Sequence, residues 1–307
     1  MTVVPGKDLA NAVDRVRRAE QLGYDSVWLN QLPPNRDSLL VLSAYAQGSS
    51  RIGLGTHVLP IFARHPAAMA QAALTLDELS GGRFRLGVGI SHRVTVEGLW
   101  GLRLERPLEA MREYLTILRS LIREGRADFT GRQFSAHVGY QAPRRPDLPI
   151  VISAVNPRML ELAGELADGV ALWMCPPRYI AEVCVPRIRA GREKAGKTLD
   201  GFEVVASVPV LLTADRAAGL EQFRKAASRY AALPFYRSAL DRAFGERMSD
   251  EPGDEVLDEL GGIGDRRRVA DAFERYRAAG TTLLLAGIES AGADFDATLE
   301  AVAELAS

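Results

Sequence analysis

The sequence is short of several features, and each shortage closes off a class of protein. Its 307 residues include only two cysteines, Cys175 and Cys184. At that spacing they make neither a disulfide framework nor a C-x-x-C redox pair, and the cysteine patterns of zinc sites are missing. They read as two unpaired thiols of a cytoplasmic protein. No hydrophobic run approaches the roughly 20 residues that span a bilayer. The first residues, Met1 to Asp8, have no basic stretch followed by an apolar one, so no secretory signal is expected. Neither sign of charge is in excess. Thirty-eight Lys and Arg face 39 Asp and Glu, a formal net charge of −1, which gives no electrostatic case for nucleic acid or an anionic membrane. The phosphate loop G-x-x-x-x-G-K-[ST], the zinc motif H-E-x-x-H and the G-x-S-x-G nucleophile elbow are all absent. Gly87-Val88-Gly89-Ile90-Ser91-His92 begins like a dinucleotide fingerprint, but His92 stands where its third glycine is needed. The four histidines have no cluster of further ligands, so no metal is expected and a metal-dependent hydrolase is the least favoured class.

What remains is an ordinary globular composition, 47% hydrophobic and 25% charged. Helical and extended patterns alternate along it. Leu9, Val13, Val16 and Ala19 share a helical face, and Gly23 stops it. Ser26–Leu29 reads as a buried strand, 38–47 as a helix and 51–58 as a strand whose glycines mark a bulge or close approach. Pro66 starts a helix through Leu79, and Gly81-Gly82 ends it. Strands follow at 83–89, 149–153, 169–174, 202–212 and 281–286. Helices read as 105–124, 157–166, 179–195 with an interruption at Pro186, 216–244 with Asp215 as cap, and 265–279 as the last full one. Residues 129–134 read as a surface hairpin and 246–264 as a polar excursion. An eighth strand, 2–4, is short. Apolar strands separated by helices predict a parallel sheet covered on both faces. Seven or eight such units in one domain, 1–307, predict an α/β protein with a (β/α)8 TIM barrel.

Several residues invite a functional reading beside a structural one. His57 and His92 fall at strand C-terminal ends, the rim where such barrels keep their chemistry, or they are hydrogen-bonded structural histidines. Trp28 and Trp173 lie near strand ends too, as core packing or as walls of an aromatic pocket. Ser153-Ala154-Val155-Asn156-Pro157 runs from strand to helix. It is either a plain loop or an anion site built on unpaired first-turn N–H groups, with Asn156 capping the helix either way.

Arg51-Ile52-Gly53-Leu54-Gly55-Thr56, Arg64-His65-Pro66, the run from Leu76 through Phe84 with Leu86–Gly89, and Ala163-Gly164-Glu165-Leu166-Ala167-Asp168-Gly169 together resemble the bacterial luciferase-like superfamily. The similarity covers nearly the whole chain. Trp28-Leu29-Asn30-Gln31, the stretch from Ser91-His92 to Trp100-Gly101, and Leu233-Pro234-Phe235-Tyr236-Arg237 resemble its coenzyme F420-dependent oxidoreductases. The resemblance implies a TIM barrel with an enlarged helical insertion after strand seven. It also implies a deazaflavin or flavin across the C-terminal rim and a homodimer. It puts a non-proline cis peptide at His57-Val58 behind the ring. Thr56, His57, Val58, Gly89, Ile90, Ser91 and Ser153 then fall around the cofactor, and Ala154, Val155 and Asn156 at its phosphate. Trp28, Phe62, Trp100 and Trp173 wall the substrate. Many members carry an acid and a histidine where this chain has Asn30-Gln31. Amides orient ligands but supply no proton at neutral pH. The proton donor then falls to His92 or His57.

The chemistry implied is hydride transfer between F420 and a small organic substrate. The alternative is an FMN-dependent monooxygenase that uses reduced flavin and oxygen. A third reading is a flavin-binding protein without catalysis.

Overall fold

The structure is a computed structural model that describes residues 1–3, 8–288 and 293–306. In chain order its elements begin with α1 (Leu9–Gln21), β1 (Ser26–Leu29), α2 (Ser38–Gly48), β2 (Gly53–Thr56), β3 (Leu59–Pro60), α3 (Pro66–Leu79) and β4 (Phe84–Gly89). There follow α4 (Pro107–Glu124), β5 (Arg126–Thr130), β6 (Ser135–Gly139), β7 (Ile150–Ser153), α5 (Pro157–Leu166) and β8 (Gly169–Leu172). The remainder holds α6 (Pro177–Tyr179), α7 (Val185–Lys194), β9 (Glu203–Leu212), α8 (Arg216–Ala231), α9 (Pro234–Phe244), α10 (Asp254–Leu260), β10 (Gly262–Gly264), α11 (Arg266–Ala278), β11 (Leu283–Ile288) and α12 (Ala293–Ala306). The chain gathers into two compact units. One is 3–153 with 162–169; the other is 1–2, 154–161 and 170–307.

In the first unit β1, β2, β4 and β7 pair in parallel in that order. The strands β1 and β2 are buried along their whole length, as two-sided parallel strands must be. Helix α4 shows why the helices cover them. Met111, Leu115, Leu118 and Leu121 recur at helical spacing and are all buried. Gly125, left-handed at φ 79, closes that helix.

The blocks that carry the family resemblance hold the joints of this unit. Glu20 accepts hydrogen bonds from the backbone N–H groups of Ser50, Arg51 and Ile52 at 3.0 to 3.1 Å, and from the Ser50 hydroxyl at 2.9 Å. From the other side the Arg83 guanidinium donates to the carbonyls of Ser80, Ile52, Ala46 and Ser49. Asp77, 5% exposed, pairs with Arg145 at 3.3 Å. Glu165 takes a two-pronged bond from Arg112, and Asp168 accepts from the Ile150 amide at 3.1 Å. Glu113 gathers the amides of Arg132, Gln133 and Phe134 and so ties the β5–β6 hairpin to α4.

In the second unit the long strand β9 pairs in parallel with β11 and, at its end, with β10. Asp215 caps α8 by accepting from Ala218, as the sequence predicts. Several boundaries differ from the sequence reading. The excursion at 246–264 contains α10 and β10, whose Val256, Leu257, Leu260 and Ile263 are buried. A further helix, α12, follows β11. The hairpin runs from 126 to 139, and the π-helical turn at Val94–Leu99 has no counterpart in the sequence reading. The helix expected over 216–244 is two helices, α8 and α9. Pro234 splits them, because its ring removes an N–H from the helical ladder. Of the short first strand, Thr2 donates to Ala286 in the second unit and Val3 to Trp28 in the first, while Val4 lies outside the described residues.

Candidate functional site

The sequence places its candidate site at strand C-terminal ends, and in the first unit three of those ends are stitched together. His57 N donates to Leu29 O at 3.0 Å, and Gln31 N to Val58 O at 3.4 Å. The pairing of β1 and β2 thus continues past the strands, and the peptide bond His57-Val58 is cis, where the resemblance puts it. Next along, Gly89 has no room for a side chain. A Cβ there would lie 2.4 Å from Ser153 Oγ and 2.6 Å from Val58 Cγ2. Glycine therefore lets Val58 and Ser153 close over β4. Ser91 follows in a left-handed conformation, φ 66, which costs a serine and is characteristic of functional segments.

Around this junction Asn30, His57, Val58, Ser91 and His92 are half-buried, and no carboxylate, lysine or arginine is among them. Burial holds the His92 imidazole below its usual pKa, so it is neutral at pH 7. Asn30 sits between the two residues that bond to His57 and Val58. Its backbone carbonyl accepts from Ser38 Oγ, but its Oδ1 is buried without a hydrogen-bond partner among the described residues. A buried amide oxygen left unpaired costs about 1–3 kcal/mol.

Other candidates have different jobs. Trp28 is 1% exposed and donates to Ser26 Oγ at 2.9 Å. Its ring lies against Gly55, where a Cβ would come within 2.4 Å. It is core, not a pocket wall, which corrects the expectation. Thr56 is fully buried, and its hydroxyl donates to Gly87 O at 2.8 Å and accepts from Gly87 N at 2.7 Å. That hydroxyl clamps two strands and is not available to a cofactor. Ile90 is 6% exposed and packs inward. The Gln31 amide braces its own loop, accepting from Ser38 N at 2.8 Å and donating to Leu32 O and Arg36 O. Phe62 joins an aromatic cluster with Phe134, which in turn meets Tyr114 edge-on. Trp100 ends the π-helical turn, half-buried, its amide donating to Thr95 O at 3.1 Å.

The remaining candidates lie in the second unit. Ala154 is buried, Val155 O accepts from Tyr179 Oη at 2.9 Å, and Asn156 O accepts from Met159 and Leu160 to open α5. Trp173 meets Tyr230 edge-on at 5.4 Å, and Tyr230 meets Tyr236 in the same way at 5.2 Å. In the stretch from Ser91 to Gly101, which carries part of the family resemblance, sequence reasoning missed the pairing within the segment after His92. There Glu97 binds Arg93 and the Leu104 amide, and the Arg93-Glu97 spacing on one helical face was the available signal.

A family model described as luciferase-like monooxygenase matches residues 1–283. The chain belongs to the luciferase-like monooxygenase family. It is 36% identical to a 5,10-methylenetetrahydromethanopterin reductase of Archaeoglobus fulgidus, over 66% of this chain and 60% of that one. The match thus spans about three fifths of the archaeal relative. It is 30% identical to a Mycobacterium tuberculosis protein named as a candidate coenzyme F420-dependent oxidoreductase, over 92% and 91% of the two chains. Among solved structures, the coenzyme F420-dependent tetrahydromethanopterin reductase of Methanopyrus kandleri superposes with a TM-score of 0.84 at 23% identity, covering 99% and 96%. A long-chain alkane monooxygenase superposes with a TM-score of 0.73 at 16% identity, covering 98% and 84%. These likenesses show the fold, the (β/α)8 barrel expected for this luciferase-like chain. No helix among its described residues is long and apolar enough to cross a membrane.

Proposed function

We propose that this luciferase-like protein is an oxidoreductase that uses coenzyme F420 to transfer a hydride to or from a small organic substrate. The observation that carries the reading is the charge-free junction at Asn30, His57, Val58, Gly89 and Ser91, with the unpaired Asn30 Oδ1 beside it. A deazaflavin ring is flat and edged with N–H and C=O groups, so its chemistry fits an apolar shelf with one buried acceptor to satisfy. When bound, the deazaflavin supplies or takes the hydride.

The chain's own residues would do the rest. His57, Val58, Gly89, Ser91 and Ser153, all of the first unit, would hold the ring. Asn30 Oδ1 would accept an N–H or O–H and fix the ligand's orientation. His92, kept neutral by burial, carries one ring nitrogen that accepts a proton and one that donates. With no carboxylate among these residues, the proton carrier the reading requires is His92 or His57.

The FMN-dependent monooxygenase reading rests on likeness of fold. The F420 reading also has a relative at 30% identity across almost the entire chain. Titration of the purified protein with F420 and, separately, with FMN tests the choice. Saturable quenching of deazaflavin fluorescence at micromolar concentration is expected, with FMN binding more weakly. Absence of quenching by F420, or tighter binding of FMN, overturns the proposal.

A further inference from the structure

The outer face of the β5–β6 hairpin, within the first unit, holds an acid, a base and a hydroxyl that the proposed chemistry does not use. Strand period explains their meeting. Ala127 and Ala136, one on each strand, are buried on the inner face. The alternate residues Asp128, Thr130 and His137 stand outside, and all three are exposed. In the antiparallel register Asp128 lies opposite His137, and Thr130 is the diagonal neighbour of that histidine. Asp128 Oδ1 is 2.5 Å from His137 Nδ1, and Thr130 Oγ1 is 3.3 Å from His137 Nε2. A carboxylate only accepts, so Nδ1 donates to Asp128. Nε2 of the neutral ring is left to accept from the Thr130 hydroxyl. Ser135, opposite Thr130, has its own hydroxyl engaged, accepting from Gly131 N and donating to Gly131 O. Glu113 fixes the turn between the strands through the amides of Arg132, Gln133 and Phe134. Hydroxyl, imidazole and carboxylate thus stand in the order that activates an oxygen nucleophile.

We propose that Thr130 is a covalent modification site that takes an acyl group from a small activated donor, an acyl phosphate. Thr130 Oγ1 attacks the carbonyl carbon of the donor while His137 Nε2 takes the hydroxyl proton. The new Oγ1–C bond forms, the bond from that carbon to the phosphate oxygen breaks, and the proton leaves with the phosphate. One threonine and one acyl phosphate become a threonine ester and inorganic phosphate, with no change of oxidation state. His137 is the general base. Asp128 is a positioning residue, which keeps the ring proton on Nδ1 and Nε2 turned to the hydroxyl. The open face suits a donor that brings a good leaving group with it.

The test incubates the full-length protein with acetyl phosphate and reads intact mass and digested peptides. One acetyl group on Thr130 is expected. Hydroxylamine should remove it, because that reagent cleaves an ester and spares lysine amides. His137→Gln should slow the acetylation about tenfold or more. Asp128→Asn should slow it as well, since an amide can donate to Nδ1 and shift the ring proton to Nε2, and Asp128→Glu should restore part of the rate. Acetyl groups confined to lysine, an ester on Ser135 in place of Thr130, or an undiminished rate in His137→Gln or Asp128→Asn would each overturn the proposal. The peptide map of the unmodified sequence decides the matter even where a variant fails to fold.

Discussion

Replacing Glu20 by Gln perturbs a joint whose strength the structure lets us work out in advance. The Glu20 carboxylate accepts from three backbone amides and one hydroxyl in the 50–52 turn. Burial acts against its charge, but those hydrogen bonds outweigh it and hold the carboxyl down from the ordinary 4.5 to about 2. That lowering corresponds to ~3.4 kcal/mol. Glu20 is only half-buried, and solvent screening reduces this to roughly 1–2 kcal/mol. The sign is fixed by the depressed value. The stabilisation is complete above pH 4.5 and is lost as pH falls through the folded value near 2. About two fifths of it is gone by about pH 3.5. Glutamine keeps one acceptor oxygen and turns an NH2 group toward donors. Urea unfolding at pH 7 should therefore show Glu20→Gln less stable by roughly 1–2 kcal/mol, and the gap should narrow between pH 5 and pH 3. Equal stability at pH 7, or a gap that does not change with pH, would refute the reasoning.

Thr56→Val should cost about 1–3 kcal/mol by leaving both Gly87 backbone groups without the Thr56 hydroxyl, while Thr56→Ser retains most stability; urea midpoints decide. Gly87→Ala should give insoluble protein, because its Cβ would lie 1.8 Å from Thr56 O; soluble, natively folded protein by circular dichroism would contradict this. Asn30→Leu should weaken F420 binding about tenfold or more by fluorescence titration, while the urea midpoint of the ligand-free protein does not fall, because the unpaired amide oxygen is removed. Since burial lowers the His92 pKa below 6.5, the acid limb of kcat/KM should fall below that pH, and His92→Gln should remove it.

Local chemistry made much of the fold legible. Helices α3 and α5 begin and end where the sequence reading puts them, because Pro66 and Pro157 occupy first helical positions and polar or glycine residues follow. Strand β1 is equally plain, being a short apolar run between turn signals. The misses are places where a local pattern is overridden or ambiguous. The segment holding α10 and β10 looks polar, but four of its apolar residues turn inward against neighbours that are distant in sequence. Helix α12 has too little contrast between its faces to announce itself.

The sequence by itself determined the alternation of helices and buried strands, the strand ends where the candidate residues stand, and the family blocks. It did so because periodicity, proline and glycine act over a few residues. Only the tertiary structure decided what each polar group does. It consigned Trp28 and Thr56 to the core, turned Gln31 onto its own loop and left Asn30 Oδ1 without a partner among the described residues. Those outcomes depend on contacts such as Trp28 with Gly55 or Thr56 with Gly87, which exist only after chain segments far apart in sequence have closed to hydrogen-bonding distance.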